Sequence, residues 1–116
     1  MRVKLGIFIR QDGQHVYGDG RQALLERIDR LGSIRKAALE MDMPYRAAWG
    51  KIKATEDGLG MKLLERRTGG ADGGGAVLTE EARSLMAAYA DFRGGLDEDM
   101  NERFSTSLKT HGIVRY

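Results

Sequence analysis

The order of apolar and polar residues predicts a β-hairpin at the start of the chain. Branched and aromatic residues dominate positions 3–9, turn-forming residues occupy 11–14, and the strand pattern resumes at 15–17. We therefore expect two antiparallel strands before the first helix.

Two helices are predicted next. Apolar residues recur at helical spacing from about residue 20 to residue 31, with Asp19 placed to cap this first helix. Gly32 is expected to end the helix in a left-handed conformation, and Ser33 to cap a second, short helix. The connection between the two helices is therefore expected to be very short.

Pro44 predicts the start of a third helix, because proline is tolerated at the first helical position. Opposite faces of this helix differ: one is apolar, and the other is polar, basic and flat. The apolar face consists of Ala48, Ile52 and Thr55, and the polar face of Arg46, Gly50 and Lys53. Tyr45 and Trp49 lie at the border between them.

A glycine-rich hairpin and a further helix follow. Short strands are expected at 63–67 and 76–78, on either side of a segment, 68–75, that holds five of the 16 glycines. Thr79 has the position of a helix cap, and the apolar spacing after it continues for about four turns. A glycine pair at 94–95 interrupts the pattern, and a weaker helical signal runs from 96 to 108.

These elements predict a mainly α fold with a small β component. A short second helix, a tight turn and a third helix with a basic outward face describe a helix-turn-helix, and the glycine-rich hairpin makes it winged. The complete prediction is a winged helix-turn-helix with an N-terminal β-hairpin and a long C-terminal dimerisation helix. Residues 1–93 form the DNA-binding domain, and residues 94–116 form a helical extension with a polar tail.

Composition narrows the possible classes of protein. The 116 residues include 41% apolar residues, enough for one core, and lack cysteine, which excludes disulfides and thiolate metal sites. The longest apolar run, 85–90, is too short to span a bilayer. We expect a cytoplasmic protein without a membrane partner.

The formal net charge of +2 conceals a segregation of charge. Residues 43–67 carry six basic side chains against three acidic ones, whereas residues 79–103 carry seven acidic against three basic. A basic unit beside an acidic helix favours double-stranded DNA as the partner. The candidate DNA-binding residues lie on the second helix, the third helix and the wing: Ser33, Arg35, Tyr45, Arg46, Trp49, Gly50, Lys53, Arg66, Arg67, Thr68, Gly69 and Gly70.

Several of these candidates have an ordinary structural alternative. Ser33 is a helix cap whether or not a phosphate lies near it, and Trp49 fits a partly buried core position as well as the DNA face. Arg35 fits a solvated position as well as a backbone contact. The wing glycines permit close approach to DNA, and a nucleotide site is not expected there because the following helix begins with two glutamates.

The chain also resembles a known family. Asp19-Gly20-Arg21, Gly32-Ser33-Ile34, the segment from Met43 to Trp49 and the glycine-rich wing are similar to the N-terminal DNA-binding domain of the ModE family of molybdate-responsive transcription regulators. The resemblance covers roughly residues 3–93, and the helix-turn-helix is also similar to the broader LysR type.

The resemblance implies a homodimer that binds a palindromic operator through two third helices. The helix after the wing would hold the dimer together. Its apolar stripe offers the candidate interface residues Leu85, Met86, Tyr89 and Phe92, and the alternative is packing of this stripe on the first helix of the same chain.

Members of that family carry a C-terminal oxyanion-binding module, whose sequence is not found within these 116 residues. Specific molybdate or tungstate binding by this chain is therefore not expected, and a link to molybdenum genes rests on the resemblance. The alternatives are a winged-helix module for protein interaction and an oxyanion-binding protein of molybdenum metabolism.

The sequence contains no residue pattern typical of a catalytic site or a metal site. His15 and His111 lie far apart without a ligand pattern, and the acidic run 97–99 lacks the spaced oxygens of a calcium loop. We expect a non-enzyme with no metal and no cofactor.

Overall fold

A computed structural model describes residues 1–67 and 75–114; for 66 and 67 it describes the backbone. The chain is a mainly α winged helix-turn-helix with two small antiparallel sheets, as predicted. In chain order its elements are β1 (Phe8–Gln11), β2 (Gln14–Gly18), α1 (Asp19–Leu31), α2 (Ile34–Glu40), α3 (Tyr45–Leu59), β3 (Leu64–Arg67), β4 (Gly75–Leu78), α4 (Glu80–Arg93) and α5 (Leu96–Thr110).

The N-terminal hairpin is shifted relative to its prediction. β1 begins at Phe8, and the turn is made by Asp12 and Gly13, both with positive φ. Residues 3–7 were expected in the first strand but run beside the C-terminal helices instead. There Val3 exchanges two hydrogen bonds with the Asn101 side chain of α5, at 2.6 and 3.1 Å. The Asn101 side chain, distant in sequence, therefore satisfies the backbone N–H and carbonyl of Val3, which a neighbouring strand does not.

The predicted helix ends are confirmed at three positions. Gly32 ends α1 at φ 68°, the Ser33 hydroxyl accepts a hydrogen bond from the Lys36 N–H, and the Thr79 hydroxyl accepts one from the Ala82 N–H. All three depend on short-range chemistry that the local sequence specifies.

Two other end predictions were wrong. Gly18 is the N-cap of α1, and the Asp19 side chain makes no capping bond; it turns toward α4 instead. Pro44 is the N-cap of α3 rather than its first residue, since its backbone is extended at ψ 147°. Its carbonyl still accepts the first helical bonds, from Ala47 and Ala48.

One core joins α1, α2, α3, the wing stem and α4. The largest fully buried side chains include Tyr17, Leu24, Leu25, Ile28 and Ile52. Gly18 connects the hairpin to α1 where a Cβ atom would overlap the Ile7 carbonyl oxygen, so only glycine fits. α5 has no buried residue.

Candidate nucleic-acid interface

The turn between α2 and α3 fixes the angle of the third helix. Asp42 adopts a left-handed conformation at φ 54°, and the Met43 N–H donates to the Ala38 carbonyl at 3.0 Å. Met41 and Met43 are half-buried and pack on the core beside the turn. The two helices are therefore held as one unit, which is the arrangement that places a third helix in a major groove.

The outward face of α3 is basic and open. Arg46, Gly50 and Lys53 are exposed, as predicted, together with the small residues Ala47 and Ala54. Lys53 forms an exposed ion pair with Asp57 one turn further on, at 3.4 Å. Within the described part of the chain Arg46 has no hydrogen-bond or ion-pair partner, so its guanidinium group is available to a base edge or a phosphate.

Gly50 lies in the interior of α3 without a packing reason. A Cβ atom at this position would have no neighbour within 4 Å among the described residues. Glycine in a helix interior is about 1 kcal/mol less favourable than alanine. Packing of the described residues therefore gives no reason for a glycine at this position.

Two aromatic residues border this face. The Arg35 guanidinium of α2 lies 4.5 Å from the centroid of the Tyr45 ring at the start of α3. Trp49 is half-buried and packs against the core, and Tyr45 does the same. Both aromatics therefore have a structural role, and both remain partly exposed.

The stem of the wing is anchored to the helices. β3 and β4 pair from Leu64–Leu78 to Arg67–Gly75, and the Ala76 N–H donates to the Gly32 carbonyl at 3.1 Å. Glu56 of α3 accepts a hydrogen bond from the Leu63 N–H at 2.8 Å. Arg66 and Arg67 lie on β3 at the end of this stem, as predicted, whereas Thr68, Gly69 and Gly70 lie outside the described residues.

The comparison with protein families fits this geometry. The model of the bacterial regulatory helix-turn-helix proteins, lysR family, matches residues 21–83, from α1 to the start of α4. That match spans more than half of the chain. The chain belongs to this family.

Curated relatives of this lysR-family domain include ModE proteins. The chain is 38% identical over 95 residues to the molybdenum-pterin-binding protein MopB of Rhodobacter capsulatus, and the match covers 82% of the chain and 35% of MopB. It is 41% identical over 69 residues to the transcriptional regulator ModE of Haemophilus influenzae, covering 60% of the chain and 27% of that protein. With the DNA-binding transcriptional dual regulator ModE of Escherichia coli K12 the identity is 38% over 77 residues, covering 66% and 29%.

The chain thus spans about a third of the length of these relatives. The match confirms the resemblance to an N-terminal ModE-type helix-turn-helix domain, and it does not favour a protein-interaction module. No helix of the described residues is long and apolar enough to cross a membrane. Within the same residues, no group of three or more metal-ligating side chains comes together.

The stripe predicted for the dimer interface divides between two environments. Tyr89 is buried in the core, with its ring edge-on to Tyr17, and Leu85 and Met86 are half-buried against the same core. Tyr89 therefore packs within the chain, which is the alternative considered for this stripe. Phe92 is 53% exposed and remains available.

A polar network that sequence reasoning missed holds α4 to the rest of the domain. Asp19 accepts hydrogen bonds from the Tyr89 hydroxyl, from Arg93 Nε at 3.0 Å and from the Ile7 N–H at 3.1 Å. Arg93 also donates to the Leu5 carbonyl at 3.0 Å and reaches Asp97 of α5 at 3.3 Å. The partners lie up to 88 residues apart, so no local sequence pattern predicts them.

Protonation equilibria reflect this network. Burial by itself would raise the pKa of Asp19, but the hydrogen bonds from Tyr89, Arg93 and Ile7 outweigh it and hold the pKa below its ordinary value. Burial, together with the hydrogen bond to Asp19, raises the pKa of Tyr89 to about 12. At neutral pH Asp19 is therefore an ionised carboxylate, and the protonated Tyr89 hydroxyl donates a hydrogen bond to it.

Proposed function

We propose that this chain is the DNA-reading domain of a ModE-like transcription regulator. α3 lies in the major groove of an operator, α2 crosses the backbone, and the wing contacts the adjacent backbone or minor groove. The names of the relatives support regulation of genes for molybdenum uptake or use. In this proposal the protein acts in the cytoplasm, where chromosomal DNA lies, and regulates transcription by binding rather than by catalysis.

One observation carries the proposal. On the exposed face of α3, Arg46 has no ion-pair partner among the described residues, and Gly50, one turn further on, is a glycine that packing does not require. Arg46 reads a base edge, with guanine as its preferred partner, because two parallel N–H groups match the two acceptors of guanine in the major groove. Gly50 allows the backbone of α3 to come close to the bases. Lys53 leaves its exposed ion pair with Asp57 and binds a phosphate instead.

The border and wing residues position the helix. Arg35, held over Tyr45, and the capped first turn at Ser33 face one phosphate backbone, while Trp49 contributes its exposed edge. The remaining predicted contacts are those of the glycine-rich segment and the strand before it: Arg66, Arg67, Thr68, Gly69 and Gly70.

The active species is a homodimer on a palindromic operator. α5 buries none of its residues; it exposes Phe104, and α4 exposes Phe92. A second copy that covers these aromatics would bury apolar area that the single chain leaves in water. Phe92→Ser and Phe104→Ser are expected to shift sedimentation equilibrium toward the monomer, while the circular dichroism spectrum stays that of a folded helical domain.

Operator selection from random duplex DNA tests the proposed function. We expect the recovered sequences to be palindromic, with half-site centres about 34 Å or a multiple of that distance apart, since two α3 helices must enter successive major grooves. Recovery of no preferred sequence, together with no retention on heparin and no mobility shift with random duplex, would contradict the proposal and favour a protein partner.

A further inference from the structure

We infer that the N-terminal hairpin is a second phosphate-binding site, in which Arg10 of the hairpin and the adjacent Lys51 of α3 bind the DNA backbone. The inference rests on the proposed function and adds to it a contact on the flank of α3 that faces away from α2. It assigns a ligand, a backbone phosphate, to a part of the chain outside the helix-turn-helix and the wing.

The N-terminal hairpin packs directly against α3 and is hydrogen-bonded to it. The Thr55 hydroxyl of α3 donates to the Val16 carbonyl, and a Cβ atom at Gly58 would overlap the Val16 side chain. Arg21 of α1 donates to the His15 carbonyl and to the Thr55 hydroxyl oxygen, both at 2.9 Å. Two helices, α1 and α3, therefore hold β2 in a fixed position along α3.

The position of the hairpin follows from the helical repeat. At about 100° per residue, Lys51 and Gly58 lie roughly 110–130° from the middle of the outward face. Tyr45, whose ring contacts Arg35 of α2, and Glu56, which binds the Leu63 N–H before the wing stem, lie roughly 90–110° away in the opposite sense. A helix in the major groove has one phosphate backbone on each side. α2 approaches one backbone, and the hairpin is placed to approach the other.

Small exposed residues leave this flank open. Ala47 and Ala54 lie between the outward face and the hairpin, and both are exposed. Neither side chain is long enough to hold a DNA strand away from Lys51 or from the hairpin. The path from the groove-facing side of α3 to the hairpin is therefore clear of large side chains.

The hairpin carries a concentrated positive charge. Arg10 and His15 are direct cross-strand partners, so their side chains share one face, and the Phe8 ring lies edge-on to His15 at 5.4 Å. Lys51 comes from α3. Burial lowers the pKa of His15, and the cations Arg21, Lys51 and Arg10, one from each of three elements, lower it further.

No counter-ion balances these charges in the described part of the chain. Arg21 is 8% exposed, and the hydrogen bonds of its guanidinium group go to neutral oxygens. Arg10 makes one long bond, 3.4 Å, to the Gly13 carbonyl, and Lys51 has no ion-pair partner among the described residues. Asp12 is the only acid of the hairpin and lies at its turn. A phosphate would supply the missing negative charge.

Neutral variants and a salt titration on a selected operator test the inference. Arg10→Gln and Lys51→Gln should each weaken binding to the operator and to random duplex alike, because a phosphate contact carries no sequence information. Each should also reduce the slope of log affinity against log salt by about 2 for a dimer, in which every contact occurs twice. Arg103→Gln and Lys109→Gln on α5 are the matched controls and should leave the slope unchanged.

A gain-of-binding variant guards against loss by misfolding. Asp12→Asn removes the acid at the turn, and asparagine tolerates its left-handed conformation, so affinity should rise. Wild-type binding with unchanged slopes in both neutral variants would overturn the inference and leave the proposed function intact. Failure of the wild-type chain to bind any duplex would overturn both.

Discussion

Arg35 of α2 lies over the aromatic ring of Tyr45 of α3, 4.5 Å from its centroid. The contact closes the turn of the helix-turn-helix and fixes a positive charge beside the start of the third helix. A cation over an aromatic ring at an exposed site stabilises a protein by about 0.5–1 kcal/mol. The same pair therefore serves the geometry of the motif and, in our account, its hold on a phosphate.

Loss of the Tyr45 ring should affect both roles. Tyr45→Leu is expected to lower the free energy of unfolding by about 1 kcal/mol, through the cation–π contact, and to weaken DNA binding on operator and random duplex alike. Tyr45→Phe keeps the ring and should retain most of the stability. Urea unfolding and fluorescence anisotropy measure the two effects, and unchanged anisotropy for Tyr45→Leu would argue against Arg35 as a backbone contact.

Gly50 should show a trade between stability and binding. Gly50→Ala is expected to stabilise the fold by about 0.5–1 kcal/mol, because the added Cβ meets open space and alanine favours the helix. DNA affinity should fall, because the same Cβ enters the space reserved for bases. Gly20→Ala in α1, where a Cβ also has no neighbour, is the control and should leave DNA affinity unchanged. A stabilised Gly50→Ala that binds DNA as well as wild type would show that this glycine has no part in binding.

Arg46 should determine sequence preference. Arg46→Ala is expected to lose about 1–3 kcal/mol of discrimination at particular base positions, whereas Lys53→Ala should weaken binding evenly across sequences. Competition assays with single-base variants of the operator distinguish the two patterns. If both substitutions produced the same uniform loss, Arg46 would be a phosphate contact and another residue would read the bases.

The Asp19 network predicts loss of stability in acid. The ordinary pKa of an aspartate is about 3.9, and the pKa of Asp19 in the folded state lies below it. Stabilisation by the folded-state carboxylate is therefore complete above the ordinary value and is lost as the pH falls through the folded pKa. Urea unfolding between pH 7 and pH 2 should show this loss in the wild type. Asp19→Asn should be less stable at pH 7 and lose less stability in acid; equal pH dependence of the two proteins would contradict the assignment.

The local sequence was enough to predict the helix-turn-helix, and long-range contacts account for what it missed. The capping hydrogen bonds of Gly32, Ser33 and Thr79 reach no further than four residues along the chain. Their roles could therefore be predicted from the local sequence. Asp19 has the residue type of a cap, but Arg93 and Tyr89 of a distant helix bind its carboxylate. Residues of the first strand were misplaced for the same reason, since Asn101 pairs with Val3.

The candidate site divides in a similar way. The exposed face of α3 followed from helical periodicity, and the structure places Arg46, Gly50 and Lys53 as predicted. The contact of Arg35 with Tyr45 and the packing of the hairpin on Gly58 required the tertiary structure. Tyr89 shows the limit of an apolar stripe, because periodicity indicates which face is buried and not whether the same chain or a second copy covers it.

The salt dependence of binding to a selected operator tests the central claim most directly. If a dimer neutralises six to ten phosphates, its affinity should fall by roughly three to five orders of magnitude between 50 and 200 mM salt. Such a fall on a palindromic duplex, with weaker binding to random sequence, is the result that we predict. An affinity that stays the same over this range, or is equal on both duplexes, would contradict the assignment of this chain as a DNA-reading domain.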